Sequence, residues 1–287
     1  MALSKKIGVD VGEATVTVYV RGEGVVVHEP SPGMRGGPEG GIPDLIRRVG
    51  GFRRLFKPEV MICVPPDLSG DLRRAVTEAA VAAGARQVWL VELPLAAAIG
   101  AGLPIEESAG VLVCDIGAGS TQVAVVSGSG TLVAGTLPVG GAALDRAIAA
   151  FLEGRLSVGL NEREAEDLKL AAGSALPVDP PLSARLGGHE VTSSELAAAM
   201  EPPLRRIAEG TSEVLREAPA RLLGGLRRRG LTLTGGGARL RGIDRFLSLR
   251  LGMPVRVAAE PETCVARGAS LAPDRLGVLR HNQGYLR

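Results

Sequence analysis

At 287 residues, with 45% hydrophobic and 22% charged side chains, the chain has the make-up of a soluble globular protein, long enough for two domains or for one large one split by a cleft. A net charge of +2 is too small to argue for nucleic acid, and Cys63, Cys114 and Cys264, scattered without CxxC spacing, fit buried thiols in a reducing cytosol rather than disulfides or zinc. His28, His189 and His281 are isolated, which disfavours an imidazole metal site, and neither a membrane-spanning apolar run nor a signal-peptide core is expected.

In chain order, Ile7–Gly12 reads as a strand ending in an Asp10-x-Gly12 turn, followed by a β-branched strand over Ala14–Val20, a turn at Arg21–Gly24 and a strand over Val25–Val27. Pro32–Gly40 is a Pro/Gly linker that cannot build a domain. Gly41–Val49 reads as a helix, with Phe52-Arg53-Arg54-Leu55-Phe56-Lys57 close behind it. The opening pattern then returns: a strand over Val111–Gly117 with an Asp115-x-Gly117 turn, a strand over Ser120–Val126, a turn at Ser127–Gly130 and a strand over Thr131–Ala134. Arg221–Arg229 is a basic helix, read as a solvated or an interacting face. Last comes a short strand, Leu231–Thr234, then Gly235–Gly237 and an amphipathic helix from Ala238 to Leu251.

One Asp-x-Gly hairpin is an ordinary turn between Val-rich strands. Two with the same order and spacing are an internal duplication, which weighs more. Glycine lets a turn approach a phosphate and aim consecutive N–H groups at its oxygens. An Asp at the end of the preceding strand can hold Mg²⁺, mostly through its waters. One hairpin from each of two lobes would grip a nucleoside phosphate from both sides. The strand, glycines and helix around Gly235–Gly237 suit an α-phosphate or a nucleoside; they form neither a Walker A loop nor a dinucleotide fingerprint.

Taken with GVDVGEATVTVYVRGEGVVVHEPS, PEVMICVPP, GARQVWLVELPLAAAIGAGLPI, VLVCDIGAGSTQVAVVS, LPVGGAALDRAI, LTLTGGGARLRGIDRFL and PETCVARGAS, the pattern resembles the MreB family of bacterial actin-like ATPases. The resemblance implies an α/β, actin-like (ribonuclease H-like) duplicated fold of two lobes about a nucleotide cleft. It also implies ATP or ADP with Mg²⁺, filaments of the protein with itself, a cytoplasmic location at the inner face of the membrane, and no nucleic-acid partner. Lobe I is expected over residues 1–138, with a linker at 32–41 in place of the small subdomain IB and residues 265–287 returning to it. Lobe II is expected over 139–264, with subdomain IIB inserted at about 160–207. Nucleotide contacts would come from Asp10, Gly12, Glu13, Ala14 and Thr15, from Gly117, Ala118, Gly119, Ser120 and Thr121, and from Gly140 and Gly141. Asp10 and Asp115 would be the water-mediated Mg²⁺ ligands. Gly235, Gly236 and Gly237 would lie on the adenosine side, and Glu166 and Lys169 match the family's ribose and adenine contacts. As an ordinary i,i+3 pair, those two would instead form an exposed salt bridge.

Three departures qualify this. The linker at 32–41 leaves one subdomain effectively absent. Leu93 stands where the family places a carboxylate to position the attacking water, so slow hydrolysis is expected unless Glu92 or Glu13 takes over. Glu13 replaces a threonine, and it would coordinate Mg²⁺, turn to solvent or weaken triphosphate binding. Ala118 interrupts a triple glycine, a smaller change.

Family members also resemble the stretch after Gly41–Val49 in an apolar loop that dips into the membrane. Phe52, Leu55 and Phe56 would insert, and Arg47, Arg48, Arg53, Arg54 and Lys57 would face anionic headgroups; packing of the apolar residues into the core is the other reading. The leading function is a polymerising, membrane-associated scaffold that binds ATP. A non-polymerising nucleotide-dependent adaptor or chaperone-like module is the alternative. A sugar or acetate kinase is disfavoured because no substrate domain is left over.

Overall fold

The computed structural model describes residues 5–31, 41–50, 57–128 and 130–275. Its first sheet opens with the Val-rich meander β1 (Lys6–Val11), β2 (Thr15–Val20) and β3 (Gly24–Pro30). Helix α1 (Ile42–Gly50) leads to β4 (Glu59–Val64), which pairs parallel to β1, and α2 (Gly70–Ala82) leads to β5 (Gln87–Glu92), parallel to β4. Helix α3 (Leu93–Gly100) follows at once.

The second sheet repeats the plan. Strands β6 (Val111–Ile116), β7 (Thr121–Ser127) and β8 (Gly130–Leu137) form the meander. A long insertion follows, made of α4 (Gly141–Leu156), α5 (Glu162–Ala172), the hairpin β9 (Ser183–Leu186) and β10 (His189–Thr192), α6 (Ser193–Glu217) and α7 (Ala220–Arg229). Strand β11 (Leu231–Thr234), helix α8 (Ile243–Leu251), strand β12 (Val255–Val257) and helix α9 (Cys264–Leu271) complete it. The orders β3-β2-β1-β4-β5 and β8-β7-β6-β11-β12 are the same. Even the β-bulges correspond, falling at Val18/Tyr19 in one hairpin and Val125/Val126 in the other.

Strand alternation sets the layers. Val60, Ile62 and Val64 face a core shared with α1 and α2, while Met61 and Cys63 face the opposite way. Leu112, Cys114 and Ile116 face the helices of the second lobe, while Val111 and Val113 face back toward Met61 and Cys63. Helices α3 and α9 fill the space between the two sheets. Among the described residues, no helix is long and apolar enough to cross a membrane.

Two expectations need correction. The second sheet begins at Val111, not after residue 138, because β6 pairs in parallel with β11 and carries its whole hairpin into the second lobe. The expected helix from Ala238 is a 3-10 turn over Gly236–Arg239; the α-helix starts at Ile243, after Gly242 takes φ 74°, which breaks the run. The linker at 32–40 and Phe52, Leu55 and Phe56 lie outside the described residues.

The α3–α9 contact is a backbone crossing. A Cβ added at Gly100 would collide with the carbonyl of Cys264, and one at Gly268 with the carbonyl of Ala96. Alanine at either position gains up to about 1 kcal/mol of helix propensity, but overpacking of this kind costs about 1–3 kcal/mol or more. Gly268→Ala and Gly100→Ala are therefore expected to lower the urea midpoint despite favouring helix. An unchanged or raised midpoint would mean that the crossing is slack.

Candidate functional site

Both Asp-x-Gly turns close with the same bond. Gly12 N–H donates to the Thr15 carbonyl at 2.9 Å, and Gly117 N–H to the Ser120 carbonyl at 2.9 Å. Each turn thus leaves the residues between with outward amides; those of Ala118, Gly119 and Ser120 find no backbone acceptor among the described residues. Such a concave run of N–H groups suits an anion.

The exit of β6 is the hub. Thr234, opposite Asp115 in the parallel β6–β11 register, donates its hydroxyl to Asp115 Oδ1 at 2.7 Å. Gly235, at φ 81°, and Gly237 both press on Ile116, and an added Cβ at either would overlap it. Gly140, at the N-cap of α4, lies against the carbonyls of Gly117 and Ala118. The amides of Gly141 and Ala142 donate to those carbonyls at 2.9 and 2.8 Å. Three glycine segments therefore converge on one turn, and the first lobe's Glu13 meets it at Gly119.

Asp115 is buried at the end of β6, and Asp10 is half-buried at the end of β1. Burial, reinforced by the Asp115 charge, raises the Asp10 carboxyl to about 7. Burial raises Asp115 to about 6, opposed by the Thr234 hydrogen bond. The same burial and both carboxylates push the Cys63 thiol up. Among the described residues, no group of three or more His, Cys, Asp or Glu could cage a metal. Two carboxylates sharing a poorly solvated site fit a cation that keeps most of its water, the habit of Mg²⁺.

The other expected residues are placed unevenly. Thr121 is fully buried and donates to the Val139 carbonyl at 2.6 Å, so its hydroxyl holds the fold rather than facing the cleft. Lys169 does not pair with Glu166; it reaches Asp145 on α4 at 2.8 Å, with its Nζ beside Gly141. Burial raises the Asp145 carboxyl in spite of Lys169. Glu166 is exposed. Glu92 ends β5 as the N-cap of α3 and makes no capping bond, while Leu93 packs against the core between the lobes. Thr234 and Asp145 were missed. The first could have been found by laying β11 beside β6, as the duplication requires; the second had no sequence signal beyond a helix start. Arg47 and Arg48 are ion-paired with Asp44 and Glu29.

Carboxyl groups raised in the fold make the free protein more stable when protonated, because the folded state then binds more protons than the unfolded one. Stability is fully present below about pH 4 and lost as pH rises through about 6–7, the raised values of Asp115 and Asp10. Asp10→Asn is expected to stabilise the metal-free protein at pH 8 by about 2 kcal/mol, allowing for partial solvent access, and to flatten the slope. Parallel urea curves for both proteins from pH 5 to pH 8 would refute this.

The model of the MreB/Mbl protein family matches residues 39–280. The cell shape-determining protein MreB of Escherichia coli (strain K12) is 34% identical over 323 residues, covering 94% of this chain and 93% of the relative. The cell shape-determining protein Mbl of Bacillus subtilis (strain 168) is 29% identical over 325 residues, covering 96% and 98%. Both aligned lengths exceed the 287 residues of this chain, so each relative carries residues without a counterpart here. Among solved structures, MreB5 of Spiroplasma citri bound to ADP is similar with a TM-score of 0.86 at 25% identity, covering 96% of this chain and 98% of that one. The MamK double helical filament, with a TM-score of 0.78 at 18% identity over 95% and 99%, shares the fold. Sheet order, paired turns and these matches agree, and the chain belongs to the MreB/Mbl family of actin-like cytoskeletal proteins.

Proposed function

We propose that the protein binds ATP or ADP with Mg²⁺ between its Asp10 and Asp115 turns and polymerises into filaments that act as a scaffold for cell shape. One observation carries this reading: two equivalent turns, each closed by the same 2.9 Å bond, face one poorly solvated pair of carboxylates. When bound, the cation would neutralise that pair and the phosphate oxygens. Asp10 and Asp115 would hold its waters, the glycines of both turns would admit the phosphates, and Gly235–Gly237 with Lys169 would border the nucleoside. The similar MreB5 structure is bound to ADP and the similar MamK structure is a filament, which supports both halves of the proposal.

Turnover is proposed to be slow, since Leu93, at the first position of α3, has no group to orient water, and Glu92 ends the strand before it. A reduced subdomain IB at the 32–41 linker is proposed with it; alignments longer than this chain fit a loss of residues relative to the relatives. Light scattering and negative-stain microscopy with ATP, with ADP and without nucleotide are expected to show nucleotide-dependent filaments, with little phosphate release. Monomers at tens of micromolar in every condition would favour the adaptor reading instead.

A place at the inner face of the membrane is proposed through Phe52, Leu55 and Phe56. Arg47 and Arg48 are paired to Asp44 and Glu29 at the surface, so the apolar residues are proposed to share the attachment with the remaining basic side chains. Replacing Leu55 and Phe56 by Ser is expected to abolish flotation with anionic liposomes and leave thermal unfolding unchanged; unfolding would place them in the core.

A further inference from the structure

The two turns are duplicates, yet they differ at one position in a way that bears on the ligand. Aligning Gly12-Glu13-Ala14-Thr15 with Gly117-Ala118-Gly119-Ser120 sets Glu13 opposite Ala118. The Glu13 side chain neither stays over its own turn nor points away. Its carboxylate lies across the cleft against Gly119, in the space that a Cβ there would need, with both oxygens and Cδ among the nearest atoms.

The contacts along the β6 exit run in order. Gly235 and Gly237 bear on Ile116, Gly140 on Gly117 and Ala118, and Glu13 on Gly119. A nucleotide whose nucleoside lies on the Gly235–Gly237 side thus extends its phosphates toward Gly119. The outermost of them would reach the place now held by the Glu13 carboxylate. Two anions cannot share that place, because like charges at contact distance repel. A diphosphate is shorter by one charged group and leaves Glu13 where it is.

Resting on the nucleotide reading above, we propose that Glu13 is a specificity residue, a built-in stand-in for the terminal phosphate that makes the cleft prefer nucleoside diphosphate over triphosphate. Glu13 is exposed, so a triphosphate enters only by displacing it into solvent.

The test is isothermal titration of the whole chain with ADP and with the β,γ-imido analogue of ATP in excess Mg²⁺, using wild type, Glu13→Gln and Glu13→Thr. Wild type is expected to bind ADP at least about tenfold more tightly than the analogue, in line with the repulsion above. Both variants should recover most of that factor for the analogue and change ADP affinity by less than about threefold. Equal affinities in wild type, unmoved by either variant, would overturn the role of Glu13 and leave the nucleotide site standing. Weaker analogue binding in the variants would also overturn it, since Glu13 would then be helping to hold the cation. No binding of either nucleotide by any of the three proteins would remove the nucleotide reading itself, and this inference with it.

Discussion

At the centre of the molecule the carbonyl of Cys264 lies against the Cα of Gly100, and the carbonyl of Ala96 against that of Gly268. Helix α3 follows the last strand of the first sheet and α9 the last strand of the second, so the crossing joins equivalent points of two copies. It also reaches the site. Gly8, two residues before Asp10 on β1, has no room for a Cβ because the Ala266 carbonyl and the Ser270 amide of α9 fill that space. Cys63 on β4 completes the contact by donating to the Val265 carbonyl at 3.6 Å. The position of the first carboxylate is therefore set by α9, which follows the second sheet in the chain and packs back on β1 of the first. The alanines of α3 and the glycines at 8, 100 and 268 have their reason here: layers that share a core this thin cannot accommodate large side chains.

This constraint explains the electrostatics. If the lobes sat on a thick, aromatic core, Asp10 and Asp115 could relax apart. The backbone crossing holds the strand ends close, and burial and mutual charge then raise the Asp10 carboxyl to about 7. A raised pair of this kind disfavours the closed cleft in the absence of a cation and favours it once a cation is present, which is how a bound state can be converted into a lobe angle. On the proposed function, that angle is what a neighbouring subunit would read.

Much of this was legible beforehand because the duplication is written in local residues. Asp-x-Gly turns between β-branched strands need no tertiary information, and both meanders form where their patterns predict. The division between lobes was less legible. The assignment of 111–137 depends on β6 pairing with Leu231–Thr234, more than a hundred residues away, and no local pattern encodes that. The burial of Thr121 and its bond to Val139 were not legible either, because they are set by how α4 enters. The partner of Lys169 was not legible: spacing within α5 offered a salt bridge to Glu166, but packing of α4 on α5 delivered Asp145.

The same contrast between local and tertiary information bears on how the two copies diverged. The second turn is boxed in by Gly140, Gly235 and Gly237, each pressed on its backbone, so bulk cannot be added there without moving a helix or a strand. Among the described residues the first turn has no glycine of another segment pressed on its backbone: Ser31 donates to the Ala14 carbonyl, and Glu13, Ala14 and Thr15 are all exposed. Variation in ligand preference is therefore free to appear on the first turn and is barred from the second. A long acidic side chain at position 13, reaching over to the rigid turn, changes what the cleft accepts without disturbing the scaffold that forms it. The fold can thus stay close to that of its relatives while one exposed residue alters the chemistry of the site.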